Sequence, residues 1–509
     1  MSQSRTKNSI KNINYSFVSY GIILLLQFVN RTVFIQFLSS TYLGLNGLFS
    51  NVLRFLALTE LGVGSAINYA LYRPLAEGDT EFVKSMMRLY RKLYRLIGCT
   101  VLVLGGVLTP FLPFLIRDMP TDMPYIYLYY VLYVVDSGVS YFFTYKRSLI
   151  ICSQREYIST AVTTVSRIAL CVLQVVVLAV SRSFAAYLIA GILVTVGENV
   201  LISVVADRLF PYLKEKNVSA LPAQVSADIK KNVFAMMFHK IGTVVVFSTD
   251  NLIISKFAGL VAVGLYSNYT LVVDSLNRLM TKMFAAMTAS VGNLVLSDDK
   301  KYVECVMYRV LFLNFWLRGV CAVALLCLFQ PFITLWIGDH YCLSSFTVLV
   351  IAVNFYIGGM RSTANIFKEA SGMFWYDRYK PIVESVLNLV LSVWLVKQYG
   401  VAGVLLGTIG STVLVPFWVE AYVLYKHYFS KGMAGYMARQ LLYAAVTCLA
   451  GGICYFLCTW TAGSGVAAFL VQGVICAVVP NAIFAAVFGR SQEFRYFWGL
   501  VRNMVKRTA

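Results

Sequence analysis

Residues 244–282 read VVVFSTDNLIISKFAGLVAVGLYSNYTLVVDSLNRLMTK. These are two apolar runs of membrane-spanning length, and they carry Asp250, Asp274, Arg278 and Lys282 within them. An ionisable group at mid-bilayer depth costs at least ~2.5–3.5 kcal/mol, so such residues face a bundle interior or a watery cavity. The stretch therefore points both to a membrane protein and to where its working residues lie. It has an echo near the N-terminus. Gly47-Leu48-Phe49-Ser50-Asn51 matches Gly264-Leu265-Tyr266-Ser267-Asn268, and Arg31-Thr32-Val33-Phe34-Ile35 falls opposite Asp250-Asn251-Leu252-Ile253-Ile254. Arg31 and Asp250 thus take equivalent places in two halves of the chain.

Composition agrees with this reading. Across 509 residues, 59% are hydrophobic and 13% charged, with a mean hydropathy of +0.72, more apolar than a soluble core of this length. The net charge of +20 does not indicate nucleic acid, because the basic residues form short clusters between apolar runs instead of one face. The eleven cysteines show no CxxC and no His/Cys ligand spacing, and Cys99, Cys171, Cys321, Cys327, Cys448 and Cys476 sit in apolar runs. They read as small reduced core residues, with no disulfide framework and no metal site. The N-terminal MSQSRTKNSIKN is polar and basic, and the apolar run that follows it to Leu38 lacks a small-residue cleavage site. It is expected to be a retained first span.

At ~20 residues per crossing, about fourteen spans are expected. Their limits are 14–38, 43–70, 96–116, 125–145, 157–180, 184–206, 232–256, 260–290, 308–337, 343–366, 380–397, 401–424, 437–460 and 465–488. Segments after even-numbered spans are basic, carrying for example Lys84, Arg88, Arg91, Lys92, Lys146, Arg147, Lys230, Lys231, Lys368, Lys380, Lys426 and Lys431. Those after odd-numbered spans hold only Arg117, Arg182, Lys256 and Lys397. The positive-inside rule then places both termini in the cytoplasm. Leu71 to Tyr94 is too polar to span; Phe82, Met86, Met87, Leu89, Tyr90 and Leu93 recur at helical spacing. Either an amphipathic helix on the inner leaflet or an ordinary basic loop helix fits that pattern.

The repeat extends further. Gly98 matches Gly319, Pro110-Phe111 with Asp118 matches Pro331-Phe332 with Asp339, Glu156 matches Asp377 and Arg167 matches Asn388, all at a shift of ~221. Six spans per copy is an even number, so the copies share one orientation and form a parallel pseudo-two-fold repeat. The expected fold is an all-α polytopic membrane protein. It comprises an N-lobe (1–212, helices one to six), a cytoplasmic linker (213–231), a C-lobe (232–430, helices seven to twelve), and two accessory helices with a basic tail (431–509).

Three stretches carry a family resemblance: LGLNGLFSNVLRFLALTELGVGSAINYALYRPLAEGD at 43–79, TDNLIISKFAGLVAVGLYSNY at 249–269, and KEASGMFWYDRYKPIVESVLNLVLSVWLVKQYGVAGVLLGTIGS at 368–411. With them the whole chain resembles the polysaccharide flippases of the multidrug/oligosaccharidyl-lipid/polysaccharide (MOP) exporter superfamily, the Wzx-type translocases, whose two-lobe plan is MATE-like. The resemblance implies an alternating-access carrier in a bacterial inner membrane. Such a carrier moves a polyprenyl-pyrophosphate-linked oligosaccharide to the outer leaflet for capsule, O-antigen or wall polymer. It also implies membrane lipids, and the glycosyltransferases and polymerase of the same pathway, as partners. It implies no enzymatic activity and no cofactor, the driving force being a proton, a sodium ion or the membrane potential.

Such a substrate needs cations for its pyrophosphate. Tyr20, Gln27 and Arg31 share a face of span one, with Asn30 beside them. A planar guanidinium can donate two hydrogen bonds to phosphate at once; snorkelling or pairing with an acid is the other reading of Arg31. Span seven offers Lys240, Thr243, Phe247 and Asp250 on one face, with His239 near the inner surface. Asp274, Arg278 and Lys282 follow at i, i+4 and i+8, a spacing that also suits an intrahelical pair. Span ten places Arg361 between Asn354 and Asn365, beside Gly358 and Gly359. Arg31, Lys240, Arg278 and Arg361 are the expected headgroup ligands. Glu60, Asp136, Asp250 and Asp274 are the candidates for ion coupling or charge balance. Arg54, Arg167, Glu198, Arg309 and Arg318 are ambiguous, several reading as snorkelling residues near helix ends. The competing function is a cation-coupled drug antiporter of the MATE type. Against it stands the lack of an acid in span one, which offers Arg31 instead. A polymerase or ligase would need catalytic groups in sizeable outer loops, and the outer segments Ser39 to Tyr42 and Gly338 to Leu343 are short.

Overall fold

The computed structural model describes residues 2–60, 63–117, 123, 125–215, 221, 249–295, 299–373, 375–461 and 465–508. Among these the regular structure is helical, and the chain forms two compact units, Met1–Gly264 and Leu265–Ala509.

The first unit contains α1 (Ser2–Phe37), α2 (Ser40–Leu56), a 3₁₀ turn (Ala57–Glu60), α3 (Val63–Glu77) and α4 (Thr80–Leu108). It continues with α5 (Leu112–Leu115), α6 (Ile126–Cys152), α7 (Glu156–Ser181), α8 (Phe184–Leu209) and α9 (Asp250–Phe257). Helix α10 (Leu260–Val295) starts in the first unit and runs on into the second. The second unit adds α11 (Lys300–Ile337), α12 (Ser345–Met360), α13 (Ser362–Ala370), α14 (Lys380–Tyr399) and α15 (Val401–Leu414). Then come α16 (Pro416–Leu424), α17 (Ala434–Trp460), α18 (Val466–Phe488) and α19 (Gln492–Thr508).

Eleven helices among the described residues are long and apolar enough to cross a membrane. Their outward faces are apolar, as lipid requires. On α7 the exposed residues Val165, Ile168, Val172, Val176 and Val180 follow one another at helical spacing. Its other side is polar and turned to protein, where Thr164 Oγ1 donates to Ser19 Oγ of α1 at 2.6 Å.

Three expected spans are not among the eleven. Span 43–70 is broken by the 3₁₀ turn at Ala57–Glu60 into two helices of 17 and 15 residues. Span 260–290 is one 36-residue helix, α10, but Asp274, Arg278 and Lys282 lower its hydropathy. Most of span 232–256 lies outside the described residues. Leu71 to Tyr94 also differs from expectation. It is the end of α3 and the start of α4, and α4 continues unbroken into the apolar span. Its apolar face is covered by protein: Met86, Met87, Tyr90 and Tyr94 are buried with Ile67, Leu71, Tyr141 and Leu149. The 431–509 segment likewise ends in a helix, α19, whose Tyr496 ring lies 4.0 Å from the Arg309 guanidinium.

The internal repeat is visible in local structure. Asp79 caps α4 by accepting the Phe82 N–H at 2.9 Å, and Asp299 caps α11 by accepting the Tyr302 N–H at 3.0 Å. Pro110 ends α4 in a 3₁₀ turn, whereas its counterpart Pro331 is carried inside α11. Helix α2 meets the first turn of α10 backbone to backbone. A Cβ on Gly44 would overlap the Leu260 carbonyl, and one on Gly264 would overlap the Ser40 carbonyl. The offsets 260 − 40 and 264 − 44 are both 220, so the contact maps onto itself when the two copies are exchanged. Gly264 therefore corresponds to Gly44, three residues from the Gly47 that the motif match suggests. In the second unit Gly403 and Gly407 of α15 press on Leu395 and Ser392 of α14, a small-xxx-small crossing sealed by Asn388 Nδ2 donating to Thr408 Oγ1 at 3.0 Å.

Candidate functional site

In the first unit the polar residues of α1, α2, α6, α7 and α8 converge around Arg31. Asn30 Nδ2 donates to Gln174 Oε1 at 2.8 Å and to the Tyr187 hydroxyl at 3.2 Å. The Tyr133 hydroxyl donates to Asn46 Oδ1 at 2.6 Å. Arg31 is half-buried, with the Tyr133 and Tyr187 hydroxyls as its electrostatic neighbours. Asp136, on the same face of α6 as Tyr133, bonds Thr195, and its Oδ1 is buried without a hydrogen-bond partner among the described residues.

Glu60 sits in the 3₁₀ turn that splits the second span. It accepts from the Tyr94 hydroxyl, and Tyr94 is linked through the Tyr90 hydroxyl (3.2 Å) to Ser148 (2.9 Å). Glu198 is held by Arg147 Nη2 at 2.6 Å and Thr163 Oγ1 at 2.8 Å. Asp250 opens α9. Lys240, with His239, Thr243 and Phe247, lies outside the described residues.

In the second unit Asp274 and Arg278 are both exposed near the middle of α10, one turn apart. Charges at that depth are too costly to face lipid, so this side of α10 is wetted. Arg361 is placed otherwise than expected for a headgroup ligand. It donates to Glu384 Oε1 at 2.9 Å and to Glu420 Oε1 at 3.2 Å. Lys380 reaches the same Glu420 oxygen at 2.6 Å and Asp377 at 2.9 Å, and Lys368 also pairs with Asp377. Arg361, Lys368 and Lys380 thus balance Asp377, Glu384 and Glu420, tying α12–α13, the following loop, α14 and α16 together. Arg361 carries no surplus charge for a substrate.

A buried cation without a paired carboxylate among the described residues is Arg318, an ambiguous position in the sequence. It lies at the centre of the 38-residue α11 and is 6% exposed. Its Nη1 donates to Asn277 Oδ1 at 2.5 Å, and its guanidinium lies 4.6 Å from the Phe355 ring. Gly359 leaves it room, since a Cβ there would overlap the guanidinium. Among the described residues no carboxylate pairs with it, and Nε has no acceptor. One signal could have found it: neither end of the helix is close enough for snorkelling.

No protein-family model and no curated protein matches the sequence. Solved structures do match in fold. The lipid II flippase MurJ, in an inward closed conformation, aligns over 94% of this chain and 99% of its own, with a TM-score of 0.64 and 15% identity. An inward-facing multidrug resistance MATE family transporter aligns over 79% of this chain and 94% of its own, with a TM-score of 0.62 and 13% identity. A Pyrococcus furiosus MOP superfamily transporter, described as having a binding pocket of reverse polarity, aligns over 82% of this chain and 95% of its own (TM-score 0.54, 12% identity). The fold of this chain is that of the MOP superfamily of transporters.

Proposed function

We propose that this chain is a Wzx-type alternating-access flippase. It moves a polyprenyl-pyrophosphate-linked oligosaccharide from the inner to the outer leaflet of a bacterial cytoplasmic membrane, with both termini in the cytoplasm. It is a carrier, not an enzyme. The observation that carries this reading is coverage: the flippase fold accounts for 94% of the chain, whereas the multidrug transporter leaves about a fifth of it unmatched. The cations support it. Arg31 and Arg278 lie on polar or wetted helix faces, and Arg318 is a mid-helix guanidinium with no carboxylate pairing with it among the described residues. All three suit an anionic diphosphate better than an organic cation.

The energetics fit export. Two negative charges leaving an interior-negative cell gain ~4–5 kcal/mol at about 100 mV. The return of the empty carrier is the uphill half of the cycle, and Asp250, Asp274, Asp136 and Glu60 are where a proton or sodium ion would assist it. Ligand-induced stabilisation of the purified protein tests the reading. A polyprenyl-pyrophosphate sugar at 100 times its Kd should add ~2.7 kcal/mol of stability. The matching uncharged polyprenol should not. Equal stabilisation by both, or stabilisation by organic cations alone, would turn the assignment toward a drug antiporter.

A further inference from the structure

Three cysteines far apart in sequence meet inside the second unit. Cys327 of α11, Cys458 of α17 and Cys476 of α18 have sulfurs all within 4.8 Å of one another, and all three are buried. They close one end of a three-helix packing. About 18 Å away along α11, the other end is aromatic: Phe315 stacks on Tyr443 at 4.3 Å and meets Phe484 at 4.7 Å. The transport reading gives the cysteines no task.

We propose that Cys327, Cys458 and Cys476 form a binding site for one soft monovalent metal ion, Cu(I), which clamps α17 and α18 to α11. The donor set selects the ion. Soft thiolate sulfur favours Cu(I), whereas structural Zn(II) takes four ligands. Nearby, Thr461 Oγ1 donates to the Cys458 carbonyl at 2.6 Å and Gln472 Nε2 donates to Thr461 Oγ1 at 3.1 Å. Gln472 Oε1 is buried without a hydrogen-bond partner among the described residues, and as a neutral amide oxygen it is a hard donor that suits Mg, Ca or Mn rather than a soft thiolate-bound ion. Among the described residues these three cysteines are the group whose ligand atoms are close enough to share a metal. Binding deprotonates two thiols, forms two copper–thiolate bonds and leaves the third thiol as a neutral donor. Two protons pass to solvent and the site keeps a net charge of −1, a smaller burial cost than three thiolates would carry. Cys458 lies within a turn of the exposed end of α17 at Trp460, which gives the ion a short way in.

The test is anaerobic titration of the full-length purified protein with Cu(I) against bicinchoninate, a coloured competing chelator. The expected result is one Cu(I) retained per chain, two protons released per copper, and sulfur-only coordination at about 2.3 Å by X-ray absorption, as for metal–thiolate bonds. Cys327→Ser and Cys476→Ser should each weaken binding at least ~tenfold, while Cys448→Ser, at an exposed position, should leave it unchanged. Wild-type protein that retains no copper would overturn the proposal, and this holds even where a serine variant fails to fold. Retention unchanged in both serine variants, or a disulfide within the trio in protein purified without reductant, would overturn it equally.

Discussion

Replacing Arg361 by methionine tests whether this arginine holds the fold together or binds substrate. Its guanidinium bridges Glu384 at 2.9 Å and Glu420 at 3.2 Å. Glu420, which is fully buried, would keep Lys380 at 2.6 Å. Glu384, also buried, has Arg361 as its ion-pair partner among the described residues and would be stranded. Removing one member of a buried pair costs about 3–5 kcal/mol, because the remaining charge stays desolvated. That is roughly two to three and a half powers of ten in the unfolding equilibrium. Replacing Glu384 by methionine as well removes the stranded charge, and apolar replacement of a buried pair is near neutral or stabilising. The assay is unfolding of detergent-purified wild type, Arg361→Met, Glu384→Met and the double variant, followed by translocation in proteoliposomes. Arg361→Met should be strongly destabilised, Glu384→Met less so because Arg361 keeps Glu420, and the double variant should recover both stability and transport. A double variant that folds like wild type yet fails to transport would refute this account and return Arg361 to the substrate site.

Arg318 should behave in the opposite way. Arg318→Met removes a buried, poorly compensated charge, so it should melt at or above wild type while losing the stabilisation by polyprenyl pyrophosphate; a lower melting point with ligand response intact would contradict this. Burial alone would raise the carboxyl of Asp377, but hydrogen bonds and charge from Lys368 and Lys380 win and hold it below its ordinary value. Its stabilising contribution is therefore complete above the ordinary carboxylate range and is lost as pH falls through the lower folded value. Acid unfolding curves of wild type should steepen below about pH 4 relative to Asp377→Asn, and parallel curves would count against the pairing. Gly403→Ala places a Cβ against the Leu395 carbonyl and should cost about 1–3 kcal/mol, whereas Gly452→Ala, with nothing within 4 Å, should be near neutral in the same unfolding assay.

Much of the fold was legible because lipid makes hydropathy a direct readout of helix position. The expected span 14–38 corresponds to the apolar part of α1, Asn14–Phe37, and 437–460 to α17. The break at Glu60 was not legible. Its carboxylate is satisfied by Tyr94, a hydroxyl 34 residues away, so the sequence around Glu60 gives no sign of it. Residues 71–94 carry apolar side chains at helical spacing, but periodicity cannot say whether the apolar face meets lipid or protein, and here it meets protein. The candidate site divides in the same way. Charge type and helical register mark Arg31 and Arg278 as cations within helices, and the structure places Arg31 half-buried beside the Tyr133 and Tyr187 hydroxyls and Arg278 on an exposed face of α10. Neutralisation of Arg361 depends on acids in α14 and α16, and the cysteine trio on three helices separated by loops. Neither is encoded in local spacing.

The central claim, that the carrier moves an anionic lipid-linked glycan, is tested most directly by leaflet exchange in proteoliposomes. A fluorescent short-chain polyprenyl-pyrophosphate oligosaccharide would be placed in one leaflet, and the fraction reaching the other measured by membrane-impermeant quenching. Wild type should translocate it faster under a potential that drives negative charge across, and Arg31→Ala and Arg318→Ala should abolish the movement at equal protein content and fold. No translocation by wild type, together with competent efflux of an organic cation from the same vesicles, would contradict the account.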